Sequence, residues 1–204
     1  MIKYFAYGSN MLVAKLRSHR RCPTAEIISP SEGSQHFIRK HKFKFHKHSK
    51  DLSAKGDAEA TNDDNDIVYG VLFKIDDADE MADLSFQEGA GLGGGYEEKD
   101  VDVIDEKTSE IIRAKTFCAK TDYIDPDDKP YDWYKRQTVQ GAIDNGLPDD
   151  YIKKLEGFDS KYDKKESRRK DEEEYFKSCG ICGPRQYFES HTPSDCTTIS
   201  TPRN

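Results

Sequence analysis

The sequence predicts an α+β (mixed α/β) domain followed by a charged C-terminal tail, and three observations carry that reading. Strand-like and helix-like segments are interspersed without the regular βαβ spacing of a parallel sheet. Two strand-like runs, 96–105 and 110–119, are close enough in the chain to form a hairpin. From Asp159 to Glu174 nearly every side chain is charged, and such a run has nothing with which to build a core.

Strands are expected near 2–7, 24–28, 41–46, 67–75, 96–105 and 110–119, and helices near 10–18, 77–88, 131–145 and 149–157. The first strand, Ile2 to Tyr7, is apolar and aromatic and runs into Gly8, then into two side-chain cappers, Ser9 and Asn10. Met11, Leu12, Ala14, Leu16 and Arg17 follow as a short helical pattern. A strand that turns on glycine into a helix start exposes backbone N–H groups at one point, a place suited to an anion or oxyanion. The plainer reading of the same residues is an ordinary β–turn–α connection.

Around the third strand, Lys40, Lys42, Lys44 and Lys47 alternate with Phe43 and Phe45, which reads as a half-exposed strand with its lysines outward. The polar stretch from Ser49 to Asp66 has no apolar periodicity and is expected to be a long loop or partly disordered. Asp77 with Glu80 has the form of a capping box, and Met81 and Leu84 begin an apolar face. One turn further on, that face reaches Glu88, after which Gly89 stops the helix. A carboxylate at the inner end of a helix is a candidate acid-base group, because partial burial disfavours its charged form. The alternative is a solvated Glu on a frayed last turn. The loop containing Gly91, Gly93, Gly94 and Gly95 lacks the lysine of a phosphate-binding P-loop and leads into the strand from Tyr96. Helix 131–145 closes with Asn145, Gly146 and Pro148, a strong stop signal.

Composition excludes several classes of function. The 204 residues suit one domain of about 150–160 residues plus an appendage. A net charge of −7, with no basic stripe interleaved with aromatics, argues against a nucleic-acid surface. No window approaches the ~20 apolar residues of a membrane helix and no leader is visible, so a cytoplasmic protein is expected. Five cysteines, with Cys22 and Cys118 isolated in the globular part, do not suggest a disulfide framework.

Three segments, YFAYGSNM at 4–11, LSFQEGAGLGGGY at 84–96 and YKRQTVQGAIDNGLPDDYIKKL at 134–155, resemble the gamma-glutamylcyclotransferases in content and order. The resemblance covers roughly residues 1–158 and implies a small closed β-barrel with flanking helices. It implies that Tyr4, Phe5, Ala6, Tyr7, Gly8 and Ser9, with Asn10 beside them, wrap a gamma-glutamyl group. Glu88 inherits the role of catalytic acid-base group, and Tyr96 and Tyr134 those of substrate-site residues. One departure is visible: Phe117 stands where many relatives carry a tyrosine, and one hydroxyl contact is thereby missing.

The resemblance implies a lyase-type, 5-oxoproline-forming enzyme with no cofactor and no metal, acting on a small gamma-glutamyl substrate. Neither a nucleic acid nor a membrane is an expected partner, and monomer and homodimer are both compatible. Two other readings stay open: a relative acting on gamma-glutamylamines or other amides, and a non-catalytic ligand-binding module. Retention of Glu88 speaks against the last, since a pure binder has no need of that carboxylate.

The appendage, 159–204, is not accounted for by the resemblance. Its mixed charges read as a solvated helix or disorder, and it is expected to be dispensable, because every matched motif ends by Leu155. Cys179, Cys182, His191 and Cys196 supply four ligand types that zinc accepts, but their spacing fits no common finger. An unstructured tail, a zinc site and a redox pair are the three readings, the first being the expected one.

Overall fold

The computed structural model describes residues 1–18, 21–90 and 93–178. In chain order the strands are β1 (Ile2–Ala6), β2 (Glu26–Ile27), β3 (His36–Arg39), β4 (His41–His48), β5 (Ala54–Ala60), β6 (Ile67–Ile75), β7 (Tyr96–Asp105) and β8 (Ile111–Ala119). The helices are α1 (Val13–Leu16), α2 (Ala78–Gln87), α3 (Asp132–Asp144), α4 (Asp149–Glu156) and α5 (Glu166–Ser178), with 3-10 turns at Ser9–Met11 and Thr121–Tyr123.

Each strand of the main sheet finds two neighbours, in the order β1, β8, β7, β3, β6 and back to β1, so the sheet closes into a five-stranded barrel. Closure pairs both edges of every strand and leaves the short β2 as an extra partner on β6. The β1–β6 contact is antiparallel, from Ile2 opposite Ile75 to Ala6 opposite Val71, while β1 meets β8 in parallel at Tyr4 and Lys115. β7 and β8 form the expected hairpin, Tyr96 opposite Ala119 through Ile104 opposite Ile111.

Phe5, Ile38, Val68, Leu72, Phe73 and Val103 are buried in this core. Gly70 is required where β1 crosses β6: a Cβ there would lie 2.4 Å from the Ala6 carbonyl oxygen and 2.6 Å from the Phe5 ring. The arrangement is the α+β, small closed barrel with flanking helices that the resemblance implies.

Several local expectations are corrected. The stretch 49–66 is not a loop throughout, because it contains β5, which pairs with β4 from His41 opposite Ala60 to His48 opposite Ala54. Its inward positions are small (Ala54, Gly56, Ala58), so the alternation carries almost no hydrophobic signal. Asp57 is buried as well, held by His46 Nε2 at 2.8 Å and by the Ala119 amide at 2.7 Å. The strand HFIR at β3 was likewise not anticipated.

Lys47 does not point outward. A β-bulge between Phe45 and Lys47 adds His46 to the strand, and all three residues are buried. The helix expected over 10–18 is broken at Leu12, whose ψ of 101° is extended, leaving a 3-10 turn and one helical turn. Ser9 and Asn10 make no side-chain cap, their side chains being engaged elsewhere. At α2 the capping box is half made: Asp77 accepts from the Asp79 amide, whereas Glu80 turns to the Thr24 hydroxyl at 2.9 Å.

The first compact unit runs to Tyr162, past the last matched motif. Lys161 joins it by accepting from the Asp132 amide at 3.0 Å, donating to the Pro130 carbonyl at 2.9 Å and pairing with Asp128. A second unit begins at Asp163; within it the charged run forms α5, and Asp163 accepts from Arg168 Nη2 at 2.7 Å. Cys179, Cys182, His191 and Cys196 lie outside the described residues. Among the described residues, no helix is long and apolar enough to cross a membrane.

Candidate active site

The end of β1, the end of α2, the start of β7 and the first turn of α3 converge on one cleft. Tyr4, Tyr7, Gly8, Ser9, Asn10, Glu88, Tyr96 and Tyr134 line it, together with Gly56 and Phe117. Of the residues expected there, Phe5 and Ala6 do not line the cleft. They are fully buried, their strand β1 being paired on both edges within the barrel.

Glu88 ends α2 on the side of buried Met81 and Leu84, as the helical spacing predicts, and Gly89, with φ of 69°, releases the chain immediately after it. Its Oε1 accepts from Asn10 Nδ2 at 2.9 Å and from Arg21 Nη1 at 3.0 Å. Oε2 takes no hydrogen bond from the described residues. The carboxylate is thus tethered by one oxygen while the other stays available. Arg21 was missed by sequence reasoning: it lies in a loop far from Glu88 in the chain, and nothing local marks it.

Asn10 Nδ2 also donates to the Tyr4 hydroxyl at 3.0 Å, tying the first motif to the Glu88 motif. In the turn that follows, Met11 and Leu12 donate to the carbonyls of Gly8 and Ser9. The amides of Ser9 and Asn10 meet no acceptor among the described residues, which is the donor pair expected of a helix start. Gly8 has an ordinary negative φ of −110°, so its glycine is not needed for the backbone conformation. A side chain there would instead enter the cleft, its Cβ 3.7 Å from the Tyr134 hydroxyl.

Gly56 is the unanticipated organiser of the opposite wall. Its amide donates to the Tyr134 hydroxyl at 3.2 Å and its carbonyl accepts from the Tyr96 hydroxyl at 2.6 Å. One residue of β5 therefore positions both tyrosines. Burial pushes the Tyr134 phenol up to about 12 and the Tyr96 phenol well above its ordinary value, so both remain protonated donors. Tyr7 donates to the Phe117 carbonyl, and the Phe117 ring lies 5.6 Å from that of Tyr4, filling space where a tyrosine would add a hydroxyl.

A closed barrel with a carboxylate, four buried phenols and free backbone donors at one mouth is an arrangement suited to a small polar molecule. Residues 67–155 match the AIG2-like family. The chain is 30% identical over 155 residues to the gamma-glutamylcyclotransferase of Bos taurus, covering 74% of this chain and 76% of that protein. It is 26% identical over 159 residues to the gamma-glutamylcyclotransferase of Mus musculus, covering 76% and 78%. A solved structure of a gamma-glutamyl cyclotransferase has the same fold, with a TM-score of 0.70, 22% identity, and coverage of 87% of this chain and 98% of that one. The chain belongs to the gamma-glutamylcyclotransferase family.

Proposed function

We propose that the protein converts a gamma-glutamyl amino acid or peptide to 5-oxoproline and a free amino acid or peptide. The observation that supports this best is the placement of Glu88 at one cleft with the Gly8–Asn10 turn and Tyr134. The names of the bovine and murine relatives point the same way.

In this reading the α-amine of the bound glutamyl group attacks its own side-chain carbonyl. A C–N bond forms to close the five-membered ring, and the original amide C–N bond breaks. The attack is intramolecular, so the site chiefly holds the chain folded and stabilises charge on the carbonyl oxygen. The free amides of Ser9 and Asn10 serve the substrate oxygens, with the Tyr134 hydroxyl at the glutamyl end. Glu88, through its unengaged Oε2, takes one proton from the ammonium before attack and a second from the ring nitrogen after it, passing each in turn to the leaving nitrogen, which departs as an ammonium, so the proton count balances without water. Arg21 and Asn10 hold the carboxylate for both steps.

Incubation of the protein with gamma-glutamyl amino acids, glutathione and gamma-glutamyl-lysine, with 5-oxoproline as readout, tests the reading. Stoichiometric 5-oxoproline and free acceptor are expected; release of glutamate instead would contradict it, since that requires hydrolysis.

A further inference from the structure

Lys47 is buried, only 8% exposed, yet the chemistry proposed above leaves it unused. The β-bulge at His46 turns His46 and Lys47 inward in succession, where plain strand alternation would send one of them to solvent. Its ammonium lies 4.7 Å from the centre of the Tyr96 ring. It also sits beside Gly95, where a Cβ would come within 2.5 Å of Lys47 Cε and 3.0 Å of Nζ. Glycine at that position leaves room for the lysine stem. Among the described residues, the ammonium has neither a hydrogen-bond acceptor nor a carboxylate partner. Its neighbour across the hairpin, Lys55, differs in this, being paired with Asp51 at 2.6 Å.

The side chain is mostly buried and, among the described residues, its ammonium has no partner, so a bound anion would supply the pairing that partial desolvation favours. Of the charges around Lys47, Glu88 acts on it most strongly, so the two groups share one electrostatic neighbourhood at Tyr96. Burial pulls the lysine below its ordinary value, which a bound anion would reverse. In the reaction proposed above, the leaving nitrogen is next to Glu88. In an amino-acid leaving group, the carboxylate is joined to that nitrogen through a single carbon.

We infer that Lys47 binds the α-carboxylate of the leaving amino acid and thereby selects gamma-glutamyl amino acids over gamma-glutamylamines. This rests on the cyclotransferase reading and deepens it by naming the acceptor chemistry. The proposal commits to a carboxylate one carbon from the scissile nitrogen, stacked toward the Tyr96 edge of the cleft.

The test compares gamma-glutamyl-alanine with gamma-glutamyl-ethylamine, which differ only by that carboxylate, in the wild type, Lys47→Met and Lys47→Arg. The wild type is expected to prefer the alanine substrate in kcat/KM by about 10- to 100-fold, the worth of a hydrogen bond to a charged group. In Lys47→Met the ratio should collapse toward one, chiefly through a higher KM for the alanine substrate, and Lys47→Arg should keep most of the preference. A wild type that makes 5-oxoproline equally well from both overturns the assignment of Lys47, as does Lys47→Met retaining the preference. A wild type that makes 5-oxoproline from neither overturns this proposal, and one that also makes none from glutathione or gamma-glutamyl-lysine overturns the cyclotransferase reading itself. Should Lys47→Met not fold, product inhibition of the wild type decides: alanine must inhibit more strongly than ethylamine, and equal inhibition contradicts the proposal.

Discussion

Arg21 Nη1 stands 3.0 Å from Glu88 Oε1 and 3.0 Å from Asn10 Oδ1, so one guanidinium nitrogen fixes the carboxylate and the amide together. Asn10 closes the triangle by donating to the same Glu88 oxygen. Both charged partners are only about a fifth exposed, and this geometry is therefore shielded from solvent competition.

Arg21 acts through Glu88, and its loss should appear in turnover before it appears in stability. Arg21→Met is expected to lower kcat by about 10- to 100-fold, the scale on which small misplacements of a catalytic group act. Arg21→Lys keeps the charge but not the forked geometry and should fall between. Steady-state kinetics alongside melting curves check this; a kcat within twofold of wild type in Arg21→Met would show that Glu88 needs no such tether.

Tyr134 has two duties that separate experimentally. Tyr134→Phe removes the acceptor of the buried Gly56 amide, which should cost about 1–3 kcal/mol of stability. It should also weaken substrate binding by about 0.5–1.5 kcal/mol, the net worth of one neutral hydrogen bond. Denaturant unfolding reads the first and KM the second. Unchanged values in both would place Tyr134 outside the site.

Asp105 gives the fold an acid-sensitive element remote from the cleft. The Ser31 amide at 2.7 Å, with the Thr108 amide and the Ser34 hydroxyl, holds its carboxyl well below the usual carboxylate range. A depressed folded value means stability that is complete above the unfolded value, about 3.9, and lost as pH falls below it. Asp105→Asn should therefore melt below wild type at pH 7, with the gap narrowing between about pH 4 and pH 2. A gap that stays constant over that range would contradict the account.

The end of the first unit makes a further prediction. A chain ending at Phe158 loses the Lys161 strand bridge to Tyr131 and the Lys161–Asp128 pair, whereas one ending at Tyr162 keeps them. The shorter chain should melt about 2–6 °C below the longer. Identical melting temperatures would show that Lys161 contributes nothing and that the unit effectively ends with the last matched motif.

What the sequence disclosed and what it concealed divide along physical lines. The helices α2, α3 and α4 were legible from local signals, as with Asp77, Met81, Leu84 and Gly89 in α2 and the Asn145-Gly146 stop after α3. Glu88 was legible as an inward carboxylate for the same reason. β5 was hidden because Ala54, Gly56 and Ala58 are too small to mark an inward face, and its buried Asp57 looks like a surface residue until His46 is seen beside it. Gly56, which holds both Tyr96 and Tyr134, vanished with that strand. Lys47 was misread because a bulge breaks the strand period and leaves no trace in composition. Arg21 reaches Glu88 only through the closed barrel, a long-range pairing that no local pattern encodes.

The central claim is that Glu88 carries the proton in forming 5-oxoproline. Glu88→Gln preserves shape and can keep the contact with Arg21, but it cannot act as a base. Single-turnover formation of 5-oxoproline from gamma-glutamyl-alanine, measured at saturating enzyme in the wild type and Glu88→Gln, isolates the chemical step from binding. The account predicts a loss of about 10²–10⁴ in that rate, with substrate still bound and the melting temperature little changed. A variant that forms 5-oxoproline at a rate near the wild type would contradict it.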